Sequence, residues 1–147
     1  MKDFGLNKEV IVEVKGTQSV GDMNDTMEVI TPGTYNYKNG TCYVMYHEYP
    51  EEAKEPVKTM LKITDDKIEM VKRGEYNVNM VFGDGSENLT YYNTPFGQIL
   101  IGVVTKSMDI KGDVDRVKIR IEYMLTMNGE YASDNEIEIV VRTNDKY

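Results

Sequence analysis

The chain has 147 residues, 17 of them Lys or Arg and 25 Asp or Glu, for a formal charge of −8. At about 150 residues per domain this is one domain spanning 1–147, able to bury roughly two-thirds of its unfolded surface without disulfides or metals as staples. A composition 40% hydrophobic and 29% charged excludes disordered and fibrous classes, and the net negative charge opposes a phosphate backbone, so nucleic acid is not an expected partner.

Period-two patterning dominates. Val10, Val12 and Val14 alternate with Ile11, Glu13 and Lys15, as a strand with one buried face requires. In chain order the spacing predicts ten strands, over 9–17, 25–38, 41–48, 57–64, 67–73, 75–82, 88–93, 97–108, 115–127 and 135–143. Residues 1–8 precede them and are expected to be flexible. The second strand is bent or bulged at Pro32-Gly33. The ninth sets Val117, Ile119, Ile121, Tyr123, Leu125 and Met127 on one face, and the tenth does the same with Ile137, Ile139 and Val141. No stretch has the spacing and caps of an amphipathic helix.

Turn chemistry falls between these runs. Asn39-Gly40 and Asn128-Gly129 suit two-residue type I′ hairpins, whose central residues both need positive φ. Thr94-Pro95-Phe96-Gly97 suits a type I turn. Asp65-Asp66-Lys67 and Asp84-Gly85 are further turns, and Gly74 makes a tight one. Two connections are longer: Tyr49–Pro56, with room for one helical turn before Pro56, and residues 109–114. Short connections force sequential antiparallel pairing, a meander. Ten twisted strands with no helix to cover them close on themselves, because closure removes both edges. The expected fold is all-β, a closed antiparallel meander barrel of 8–10 strands, with a two-sheet sandwich as the alternative.

A series of short motifs runs along this frame: Gly33-Thr34-Tyr35, Tyr43-Val44-Met45-Tyr46-His47-Glu48, Arg73-Gly74, Tyr92-Asn93-Thr94-Pro95-Phe96-Gly97 and Glu122-Tyr123-Met124-Leu125. Their order and spacing resemble the DUF1934 family of uncharacterised bacterial proteins over roughly residues 9–143. The resemblance implies a calycin-like, lipocalin-type closed barrel. It implies no activity, and the small apolar ligands of calycins in general are an analogy of fold.

Other features bear on compartment and chemistry. No run of about 18 apolar residues suits a membrane span. Residues 1–7 lack the apolar core of an export signal, and Cys42 is the single cysteine, so no intrachain disulfide forms. The expected location is cytoplasmic. The sequons at Asn24, Asn39 and Asn88 then read as turn chemistry. A Ser-His-Asp or Cys-His site would have to use His47, which sits mid-strand. Cys42 lies five residues away on the opposite face of the same strand, about 16 Å along it. One Cys and one His do not make a zinc site. The oxygen-rich loops at 22–25 and 83–88 do not fit a calcium-binding ladder. No catalytic residue, metal ligand set or cofactor motif is assigned, and an enzyme is the least favoured class.

The informative feature is polarity on an apolar face. In 41–48 one face carries Cys42, Val44, Tyr46 and Glu48. Pointed inward, Glu48 becomes a charge inside the barrel near one end, costly unless paired. Arg73 is the expected partner, with Tyr92 and Tyr123 as hydroxyl donors. The parity of 67–73 pulls the other way: if Ile68 and Met70 face in, so does Lys72, and Arg73 faces out unless the turn shifts the register. The candidate ligand-binding residues are Tyr46, Glu48, Arg73, Tyr92 and Tyr123; the alternative is that they only satisfy a core charge. Both faces of 97–104 are apolar, so the outer one needs a cover: a second copy of the chain, the segment Phe4-Gly5-Leu6, or the curvature of the barrel itself. Two functions follow as expectations. The first is a binding barrel for a small, partly apolar molecule. The second is a filled barrel acting through its outer patch as a homodimer or with a protein partner.

Overall fold

A computed structural model describes residues 7–49, 51, 54–74, 77–112 and 115–144. The strands are β1 (Asn7–Val20), β2 (Met23–Lys38), β3 (Thr41–Glu48), β4 (Val57–Ile63), β5 (Ile68–Arg73), β6 (Val78–Phe82), β7 (Glu87–Thr94), β8 (Gly97–Gly112), β9 (Arg116–Met127) and β10 (Glu130–Thr143). They form one sheet in the order β6-β5-β4-β3-β2-β1-β10-β9-β8-β7, with every neighbouring pair antiparallel. The meander is as predicted, but its gap is not at the chain ends. β1 pairs with β10, and the two sheet edges are β6 and β7.

The sheet curls until those edges meet, giving a nearly closed barrel rather than a sandwich. Side chains bridge the seam where no ladder does. The Tyr92 hydroxyl accepts the Asn79 amide proton at 3.1 Å and donates to the Asn79 carbonyl. The Asn88 amide donates to the Val81 carbonyl at 3.3 Å, and Thr105 Oγ1 accepts from Gly83 N–H at 3.3 Å. Backbone groups on an open edge would otherwise be free to pair with another chain.

Inner-facing residues follow the predicted alternation. Val10, Val12 and Val14 of β1, Val44 of β3, Leu61 and Ile63 of β4, Ile68 of β5, Phe82 of β6, Ile119 and Ile121 of β9, and Ile139 and Val141 of β10 are buried together. The buried Tyr35 hydroxyl meets the Cys42 thiol at 3.0 Å. Gly33 marks a close approach. A Cβ there would lie 2.6 Å from the Met45 carbonyl oxygen and 3.0 Å from Val12 Cγ2. Asn39-Gly40 and Asn128-Gly129 all have positive φ, at 52°, 80°, 51° and 85°, as their hairpins demand.

Three strands run well beyond the patterning, by four residues or more. β8 continues to Gly112 through a bulge between Thr105 and Ser107, which moves the inner face from Val103 and Thr105 to Met108 and Ile110. That slip hides the period. β10 starts at Glu130, and its first inner positions are the polar Ser133 and Asn135. β1 begins at Asn7, within the segment expected to be flexible, and runs on to Val20, turning at Gly21 (φ 59°). The predicted cover Phe4-Gly5-Leu6 and parts of the loops at 49–56, 75–77 and 109–114 lie outside the described residues.

The hairpin β1–β2 projects. β3 reaches only to Glu48, just past the Gly33–Tyr46 pair, while β2 continues back from Thr31 to Met23 alongside β1 alone. Gly33→Ala forces overpacking against backbone and should cost about 2 kcal/mol. A urea unfolding curve checks this, with an unchanged midpoint as the contrary result.

Candidate functional site

The candidate site lies where β3, β4 and β5 end together. Tyr46, Thr59 and Lys72 are cross-strand neighbours in one inner row, and Glu48 is one step further along β3. Thr59 Oγ1 donates to Glu48 Oε1 at 2.9 Å, and Lys72 Nζ donates to the same oxygen at 2.9 Å. Glu48 is therefore the inward carboxylate expected, and it is paired. The side chains of Lys72 and Glu48 are 27% and 13% exposed, so the pair looks out of the barrel end. Tyr46 and Thr59 beneath it are sealed. Burial pushes the Tyr46 phenol well above its ordinary value, the Glu48 charge adds to this, and a hydrogen bond with Thr59 partly offsets it.

Arg73 is not the partner. Ile68 and Met70 face in, the register holds to the end of β5, and Lys72 takes the inner position. Arg73 is exposed on the outer face beside Lys58. The signal that identifies Lys72 is parity with Ile68 and Met70. Thr59 was missed, although it shares the inner face of β4 with Leu61 and Ile63. Tyr92 reaches the same end of the barrel, but its hydroxyl is used on the seam. Tyr123 stands apart on β9, edge-on to Phe82 with ring centroids 4.9 Å apart, and burial raises its phenol. The structure thus brings Tyr46 and Glu48 together with Lys72 and Thr59, sets Tyr92 at the nearby seam, and leaves Arg73 and Tyr123 elsewhere.

Cys42 is buried inside and His47 is exposed outside, so they do not meet. Several outer cations sit against carboxylates, with Lys62–Glu69 at 3.9 Å, Lys118–Glu138 at 3.6 Å and Arg120–Glu136 at 3.2 Å. The interior cluster offers hydrogen bonds and a charge pair at an open end, with no nucleophile held by a base.

Two measurements probe it. Lys72→Met strands the Glu48 carboxylate and should cost about 2 kcal/mol, and the double variant Glu48→Leu/Lys72→Met should regain most of that. Equal losses in single and double variants, read from urea unfolding, would contradict the pairing. Tyr46 is held protonated in the fold, so its contribution is intact below about pH 10, where the unfolded phenol titrates, and is lost as pH rises toward the higher folded value. Tyr46→Phe should lose stability less steeply than the parent between about pH 10 and 11.5; parallel curves would argue against the buried phenol.

Comparisons with known proteins agree with this architecture. The chain is 26% identical over 125 residues to the uncharacterized β-barrel protein YwiB of Bacillus subtilis (strain 168), covering 85% of this chain and 82% of that one. The crystal structure of the B. subtilis YwiB protein superposes with a TM-score of 0.80 at 22% identity, over 95% of this chain and 94% of that one. The DUF1934 profile, a domain of unknown function, matches residues 12–139. The chain belongs to the DUF1934 family.

Proposed function

We propose that this barrel binds a small, partly apolar molecule at the end where Glu48 and Lys72 face outward. The observation that carries the reading is the half-open pair itself. Thr59 and Lys72 both spend their bonds on Glu48 Oε1, and solvent still reaches Lys72. A charge pair needed only for stability is commonly replaceable by apolar packing, so one kept at an opening suits orientation of a ligand's polar group. Inner-facing Ile99, Ile101, Leu125 and Tyr92 are only partly buried and offer apolar surface toward the same end. The reading assigns no catalysis. It places the protein in the cytoplasm, where the single thiol of Cys42 stays reduced.

A second reading rests on the outer face of β7–β8–β9. Leu89 and Tyr91 are exposed there, beside the partly buried Leu100, Val104 and Met124. Such a patch suits self-association into a homodimer. Native mass spectrometry of protein purified from its own cells tests both readings. The first predicts a retained small molecule that Lys72→Met and Glu48→Gln release, and the second predicts a dimer that Tyr91→Asp splits. A bare monomer would contradict both.

A further inference from the structure

The projecting part of β2 is an edge. Over Met23–Ile30 it pairs with β1 on one side, and among the described residues no strand pairs with it on the other. Met23 is 77% exposed and Ile30 67%, so this stretch is open rather than covered. Edge strands present unpaired N–H and C=O groups, a template for another extended chain. Proteins blunt such edges with lysines, prolines or bulges. Here none is used between Met23 and Ile30, and the β1–β2 register is unbroken.

Charge selects the occupant. From residue 16 to residue 37 the chain carries Asp22, Asp25 and Glu28 and no Lys or Arg; the nearest cation is the exposed Lys15, across from Glu28 on β1. All three acids are exposed. Asp25 shares a face with Met23 and Met27, and Glu28 lies on the other face with Thr26 and Ile30. A strand laid against this edge therefore meets one acid on each face, three residues apart, each flanked by apolar side chains. We infer that the β2 edge at 23–30 captures an extended polypeptide segment bearing Lys or Arg three residues apart, on opposite faces, among apolar residues. A second copy pairing edge to edge would set acids near acids, which is unfavourable. An anionic membrane would meet three exposed acids here against one cation, Lys15. This inference does not depend on the ligand reading, because the edge lies on the projecting hairpin and not on the Glu48–Lys72 pair.

The test uses a fluorescein-labelled decapeptide of alternating Val and Thr with two Lys three residues apart, and its Glu counterpart. Fluorescence anisotropy should show the Lys peptide binding and the Glu peptide not. Asp25→Lys/Glu28→Lys should weaken the Lys peptide by about tenfold or more and create binding of the Glu peptide. Asp65→Lys/Asp66→Lys, at the opposite barrel end, should leave the Lys peptide within about twofold of the parent. Backbone amides of 23–30 should exchange more slowly when the Lys peptide is bound. The inference is overturned if the Lys peptide does not bind, if both double variants weaken it alike, or if the edge amides stay unprotected. Thermal melts of the variants establish that each is folded. A parent dimer whose formation protects the same amides would assign the edge to self-pairing and overturn it too.

Discussion

A ten-stranded sheet has two edges, and this molecule depends on bringing them together. The junction between β6 and β7 falls mid-chain because β1 and β10 pair across the termini. Each edge is short, five residues in β6 and eight in β7. Tyr92 and Asn88 do there what a ladder does elsewhere, satisfying backbone groups of Asn79 and Val81. The bridge is not free of cost, since Asn79 Oδ1 is buried with no hydrogen-bond partner among the described residues. Once the edges meet, every second side chain of each strand shares one interior, and the apolar rows of β1, β9 and β10 face those of β4 and β5.

That shared interior explains the polar cluster. A carboxylate on an inner row cannot stay bare, and the row itself supplies the answer. Tyr46, Thr59 and Lys72 stand in register across β3, β4 and β5, close enough to Glu48 for two bonds at 2.9 Å. The same register puts Arg73 outside. Position within a pleated sheet decides between two adjacent cations that composition cannot distinguish.

Much of this was legible in the chain. The alternation in β1, β3, β9 and β10 named the inner residues, and two Asn-Gly pairs located tight hairpins. What escaped has physical causes. The bulge at Thr105–Ser107 reverses the face of β8 midway, so the alternation breaks there and the strand's end is obscured. The projecting part of β1–β2 has no neighbour on the β3 side, so its tip at 18–24 needs no apolar alternation and reads as the connection between two strands. Arg73 was favoured as Glu48's partner although parity already argued for Lys72. The seam position depends on which strands curl together, and no local pattern records that.

Backbone amide exchange at Asn79 tests the closed interior most directly. Bound to Tyr92 across the seam, that amide should exchange only through unfolding comparable to that of the β9 core, and Tyr92→Phe should accelerate it while leaving the β9 amides slow. Exchange in the parent at the rate of a freely solvated edge would mean that the two borders do not join, and the common interior would not exist.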